Sequence, residues 1–163
     1  MDIRKIYQYA LGREYEGKHF FEENAGRLSH AAAAGAFRRL AQEEQKHIEF
    51  IQAQLSALEE GDLQYASIGE QIDETSYFID RARTELLDQT VLESMVPDLP
   101  VLRLAYLIER DFAEFYETYA SKTEGEARQA LEKLAFWERR HESLFKELHD
   151  KAFKEYAEMP WGG

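Results

Sequence analysis

The chain of 163 residues is long enough for one domain with a sizeable core. Lys and Arg number 20 against 32 Asp and Glu, a formal net charge of −12. That balance argues against nucleic acid and anionic membrane surfaces as partners, since both are held by basic patches. The absence of cysteine excludes disulfides, thiolate metal sites and cysteine-bound iron centres within these residues.

No uncharged apolar run is long enough to span a bilayer, and the opening "MDIRKIYQYALGREYEGKH" has no apolar signal region. The expectation is a cytoplasmic protein. Pro and Gly are few while Ala, Leu, Glu, Lys, Arg and Gln are many, which predicts helices. The first segment, about residues 2–27, carries Ile3, Tyr7, Ala10, Glu14, Gly17 and Phe21 on one stripe. The second starts at Ser29 as N-cap and stops at Gly61. Its stripe holds Phe37, Leu40, Glu44, His47, Ile51, Leu55 and Leu58.

Residues 61–98 have weak periodicity, one short helix near 80–95 and Pro97, with Pro100 just beyond, so they read as a long connection. Asp98 then caps a third helix, with Leu102, Ala105, Glu109, Phe112, Tyr116 and Tyr119 on its stripe. A fourth, about residues 126–157, aligns Ala127, Leu131, Leu134, Glu138, His141, Phe145, Leu148 and Ala152. The tail from residue 158 has no fold signal. The reading is a single all-α domain: hairpin 2–60, crossover 61–98, hairpin 99–157 and tail 158–163. Helices of roughly 25–32 residues, about 40–48 Å long, predict an antiparallel four-helix bundle with one crossover.

The inward stripes carry an anomaly. "LAQEEQKHIEF" at 40–50 places Glu44 and His47 in a core row, where an unpartnered carboxylate or imidazole costs several kcal/mol. The stretch has a twin at 134–144, "LAFWERRHESL", with Glu138 and His141 in register. Upstream, "EYEGKHFFEENA" from Glu14 pairs with "ERDFAEFYETYA" from Glu109. The step from Glu14 to Glu109 is 95 residues and that from Glu44 to Glu138 is 94, so the chain is internally duplicated. One Glu-x-x-His alone reads as readily as a salt-bridged core pair. Two copies, each with an upstream Glu on the same inward stripe, do not. Glu14, Glu44, His47, Glu109, Glu138 and His141 form six candidate ligands on four helices. Four carboxylates with two neutral imidazoles carry about four negative charges, which two divalent cations balance. Hard oxygens with imidazole suit Fe or Mn.

With these motifs the chain resembles the ferritin-like di-iron carboxylate superfamily, and within it the rubrerythrin-like branch, over about residues 5–60 and 100–150. The resemblance implies a ferritin-like bundle with two iron ions, Mn or mixed Fe/Mn being the other fillings. Glu14 and Glu109 would be terminal ligands, Glu44 and Glu138 bridging, and His47 and His141 would bind one ion each. Tyr116, seven residues after Glu109, would either hydrogen-bond near the metals or simply fill the core; its counterpart is Phe21, so any such role is one-sided. The implied activity is reduction of hydrogen peroxide, or dioxygen, by a homodimer in which swapping of helices between partners is one arrangement. The alternatives are a ferroxidase that handles iron and an oxygenase of the same superfamily.

Two departures from the branch stand out. Rubrerythrins carry a further Glu one turn after the third-helix ligand, and here that position is Phe112. They also carry a cysteine-bound electron-transfer domain, so the absence of cysteine implies an external donor such as a rubredoxin-like protein. Gly17 and Phe112, at equivalent places, either shape an oxidant pocket or fill the core. Trp137 reads as packing or an interface residue rather than an electron relay, and His19, His30 and His149 as surface residues. Without cations, all four core carboxylates should repel one another and bind protons more readily.

Overall fold

The computed structural model describes residues 2–61, 71–74, 78–84 and 92–160, and the regular structure among them is entirely helical. The elements are α1 (Ile3–Ala25), α2 (Ala31–Glu60), a short α3 (Phe78–Arg83), a 3-10 turn (Leu92–Asp98), α4 (Leu99–Ala120) and α5 (Gly125–Glu158). The helix predicted near 80–95 is thus divided between α3 and the 3-10 turn, with 85–91 outside the described residues.

Local chemistry sets the helix ends. Asp2 accepts from the Lys5 N–H and starts α1. Gly61, in the left-handed region at φ 60°, closes α2 by donating its N–H to Ala57. Sequence reasoning placed the α2 cap at Ser29; the cap is His30, whose Nδ1 accepts from the Ala32 and Ala33 N–H groups. An imidazole nitrogen serves the purpose that a hydroxyl was expected to serve.

Asp98 also departs from expectation. It precedes α4 but makes no capping bond there. Its buried carboxylate instead accepts from the backbone N–H of Ser29 at 2.7 Å and of His30 at 3.0 Å. The aspartate therefore ties the α1–α2 turn to the start of α4, 69 residues away from Ser29. Replacing it leaves two donors without a charged acceptor. Asp98→Ala should lose about 1–3 kcal/mol of stability in urea unfolding, with Asp98→Asn less affected. Equal stability of Asp98→Ala and wild type would remove the tie from the account.

Two apolar clusters flank the middle of the four long helices. One gathers Phe21, Phe37, Leu40, Met95, Leu102, Phe145 and Leu148. The other gathers Tyr7, Phe50, Ile51, Phe112, Tyr116, Leu131, Leu134 and Trp137. Phe37 meets Phe21 and Phe145 edge-on at 5.3 and 5.2 Å, as aromatic quadrupoles favour. Each large apolar side chain fully buried contributes roughly 1.5–3 kcal/mol, and many such residues offset the polar layer between the clusters.

The stripes end sooner than predicted. Leu58 is 41% exposed, and Leu55, Tyr119 and Ala127 are only partly buried, because they lie toward helix ends with less to cover them. His149 is less open than a surface histidine: Tyr106 meets it edge-on and Phe153 stacks on it. Among the described residues no helix is long and apolar enough to cross a membrane.

Candidate metal centre

Between the apolar clusters lies a layer of acid and imidazole. Glu14 of α1, Glu44 and His47 of α2, Glu109 of α4 and Glu138 and His141 of α5 all have no solvent exposure. All six predicted ligands are therefore brought together. In α2 and α5 the i, i+3 spacing puts Glu and His on one face of the helix.

The six form two overlapping sets of four, and a smaller group joins Glu44 to both His47 and His141. Glu14, Glu44, His47 and Glu138 can offer ligand atoms within 4.8 Å of one another, and so can Glu44, Glu109, Glu138 and His141. Glu44 and Glu138 belong to both sets; each remaining set member is one terminal carboxylate and one imidazole. In both rings Nδ1 faces the acids. His47 Nδ1 lies 3.0 Å from Glu138 and 3.2 Å from Glu14. His141 Nδ1 lies 3.5 Å from Glu44 and from Glu109.

The fit to a cation is chemical as well as geometric. Among the described residues, both carboxylate oxygens of Glu44, Glu109 and Glu138 are buried without a hydrogen-bond donor. Orphaned buried oxygens are costly in any fold, and four acids in one layer compound that cost. The donor set is oxygen-rich with two imidazoles and no thiolate, which suits iron or manganese.

Without cations the layer holds protons unevenly. Burial, the Glu138 charge and Glu44 push Glu14 well above the usual carboxylate range, against the pull of His47. Burial and the charges of Glu44 and Glu138 do the same to Glu109. Glu44 and Glu138 go the other way: burial raises both, and the Glu138 charge raises Glu44, but the charge of His47 and the closeness of both imidazoles outweigh this. His47 and His141 are raised well above the ordinary imidazole value; burial opposes this, and the surrounding carboxylates win. The expectation that all four acids would rise is thus corrected. Two rise and two fall, because the imidazoles become the cations of the metal-free layer.

Tyr116 lies in the apolar cluster beside this layer, and its hydroxyl donates a short hydrogen bond to Glu14 Oε1. Burial and the charges of Glu14 and Glu138 hold its phenol well above the ordinary value, so it is a donor. Its counterpart Phe21 has no hydroxyl, so the two terminal carboxylates are held differently.

Gly17 and Phe112 close one wall. A Cβ on Gly17 would lie 2.9 Å from Phe112 Cε2 and 3.6 Å from Glu44 Oε2. The Arg13 guanidinium covers the Phe112 ring at 4.5 Å. Phe112 is thus a fitted wall beside Gly17, close to Glu44. Trp137 stacks on the His47 ring with centroids 4.9 Å apart and a 9° tilt, holding a candidate ligand in place.

One residue of the site escaped sequence reasoning. Glu74, in the connection, sits against both histidines, with Oε1 3.2 Å from His47 Nε2 and 2.6 Å from His141 Nε2. Burial raises this carboxyl, but the His141 charge and bonds to both rings hold it well below the usual range. The connection is not duplicated and is rich in acids, so nothing in its pattern marked Glu74. The only signal was indirect: ligand histidines need partners for their outer nitrogens.

The family model that matches is Rubrerythrin, over residues 100–160. The resemblance drawn from the motifs is thereby supported over this stretch, which is similar to a family of the ferritin-like superfamily; residues 5–60 have no such match. The matched stretch contains Glu109, Glu138, His141 and Tyr116; Glu14, Glu44 and His47 lie outside it and rest on geometry. Neither the curated proteins nor the solved structures give a match to the chain.

Proposed function

We propose, from the premise of a rubrerythrin-like stretch at residues 100–160, that the chain is a di-iron oxidoreductase that reduces hydrogen peroxide. The observation that carries this reading is the pair of ligand sets sharing Glu44 and Glu138. Two ions would be held, one by Glu14 and His47 and one by Glu109 and His141, with Glu44 and Glu138 between them. Two Fe(II) supply two electrons, which with two protons take hydrogen peroxide to two molecules of water. Manganese or a mixed Fe/Mn pair fits the same donors.

The protein's own groups have assignable work. Tyr116 holds Glu14 by its hydroxyl, fixing one oxygen of a terminal ligand. Phe112 and Gly17 form an apolar wall beside Glu44, which keeps water from competing with a small oxidant there. Phe112 also removes the acid that would exchange as a ligand in rubrerythrins, so the ligand set stays the same in both oxidation states. These 163 residues contain no cysteine, so the proposed electron donor lies outside them, a rubredoxin-like protein being the kind that fits.

The proposed frame is an antiparallel ferritin-like bundle with a crossover, one domain over the whole chain. The order in which each helix meets the two apolar clusters supports it. α1 and α5 run from the Tyr7–Leu131 cluster to the Phe21–Phe145 cluster, and α2 and α4 run the opposite way. The successive helices α2 and α4 thus share a direction, which requires a long connection. A homodimer in the cytoplasm completes the proposal.

The test is anaerobic stopped-flow mixing of iron-loaded, reduced protein with peroxide or dioxygen at equal concentration, followed by near-ultraviolet absorbance. Peroxide needs only the two electrons that the site can give, whereas dioxygen needs four to reach water. Oxidation by peroxide should be the faster. Faster oxidation by dioxygen would favour an oxygenase. Sustained oxidation of excess Fe(II), with iron retained in a large oligomer, would favour a ferroxidase.

A further inference from the structure

Each candidate ligand histidine has two faces. Nδ1 looks into the acid layer, and Nε2 looks away from it toward one group, Glu74. A single oxygen, Oε1, lies within hydrogen-bonding distance of both Nε2 atoms, at 3.2 Å for His47 and 2.6 Å for His141. The two rings are stacked, 5.5 Å apart and 13° from parallel, which is what allows one oxygen to reach both.

The strand of chain that brings Glu74 there is fastened along one face of α5. Lys133 donates to the Ile72 carbonyl at 2.7 Å, Trp137 Nε1–H donates to Asp73 at 3.2 Å, and Arg140 stands 3.6 Å from Glu74 Oε2. The Asp73 carboxylate also accepts the Glu74 N–H at 3.0 Å. These anchors recur at spacings of four and three, the spacing of neighbours on a helix surface. Trp137 belongs to both arrangements, holding Asp73 by its N–H and the His47 ring by its face.

We propose that Glu74 is the positioning residue of the two-metal site, one carboxylate clamping both ligand imidazoles. The inference rests on the reading of the six residues as ligands. An imidazole has one proton to place when neutral. A carboxylate at Nε2 draws that proton there, which leaves Nδ1 as the lone-pair donor and makes it more basic. It also fixes the ring plane. Because the oxygen is shared, loss of Glu74 weakens both ions together, whereas loss of a terminal carboxylate weakens one.

The experiment titrates the full chain with Co(II), by visible absorbance and chelator competition, in wild type, E74Q and E74L. Glutamine keeps an accepting oxygen; leucine fills the same space and offers none. E74L should bind both ions about 10–100-fold more weakly, the range for loss of such a partner, and E74Q should recover part of that loss. Proton NMR of the Co(II) form provides a signature that packing alone would not move. Two hyperfine-shifted signals that vanish in D2O, one per Nε2–H, should be seen in wild type and E74Q and be broadened away by solvent exchange in E74L. Wild-type affinities in E74L with both signals intact would overturn the clamp. So would weakening of only one ion, or equal affinities in E74Q and E74L. Failure of wild type to bind two ions would instead sink the metal-centre reading beneath it.

Discussion

Glu44→Ala and Glu138→Ala should each strip the protein of both metal ions, while Glu14→Ala and Glu109→Ala should each leave one. The asymmetry follows from the ligand sets, since only Glu44 and Glu138 belong to both. Two divalent cations about 4 Å apart repel by roughly 16 kcal/mol at an effective dielectric near 20, four times the value for unit charges. Anionic oxygens between them are what make that separation tolerable. If Glu44 and Glu138 bridge as proposed, removing one would take a bond from each ion and a negative charge from between them. Glu14 or Glu109, as a terminal carboxylate, would touch one ion, and its loss would leave the other with its bridges and its histidine. Elemental analysis of iron after dialysis against a weak chelator reads the outcome directly. Unfolding of each variant without metal separates loss of ligand from loss of fold. Retention of both ions by Glu44→Ala would remove the bridging assignment. Loss of both ions from Glu14→Ala would make the two sets one.

The same six side chains show why this site was legible in sequence. A helix repeats its inward face every three to four residues, so a polar residue in that row is conspicuous. Glu44 and His47 stood out between Leu40 and Ile51 for that reason, and the copy at Glu138 and His141 turned a curiosity into a pattern. The helices themselves were legible from the same periodicity. What escaped was tertiary. Glu74 reaches the histidines from a segment without period or twin, and its neighbour Asp73 is held by the indole of Trp137 and by the Glu74 N–H. Asp98 stands at a helix start and satisfies a turn on another pair of helices, a bond that no local rule foresees. His30 took the cap because its imidazole nitrogen can accept like an oxygen, while Ser29 was left to donate its backbone N–H to Asp98. The protonation of the layer was misread for a related reason. Spacing alone suggests four repelling acids, and only the packed site shows two imidazoles close enough to hold Glu44 and Glu138 ionised.

That uneven protonation sets how stability should vary with pH. In the metal-free chain Glu14 and Glu109 are raised above 4.5, and His47 and His141 above 6.5. The stabilisation from such groups is complete below their unfolded values and is lost as pH climbs through the folded ones. Glu44, Glu138 and Glu74 are lowered below 4.5, so their contribution is present above that value and is lost as pH falls through the folded ones. Metal-free protein should therefore be most stable in mildly acidic solution, roughly pH 5, and weaken toward pH 8. The net charge of −12 pushes in the same direction, since acid relieves surface repulsion in any form of the protein. Comparing the two forms cancels that surface contribution. Metal ions displace the protons of the layer, so their binding tightens as pH rises. The gap in melting temperature between iron-loaded and metal-free protein should widen steadily from about pH 5 to about pH 8, the metal adding most where the protons are scarcest. Anaerobic melts of both forms across that range, at fixed Fe(II) excess, measure the gap. A gap that stays constant would mean that protons and metal do not compete for these six residues, and the layer would then need another explanation than a metal centre.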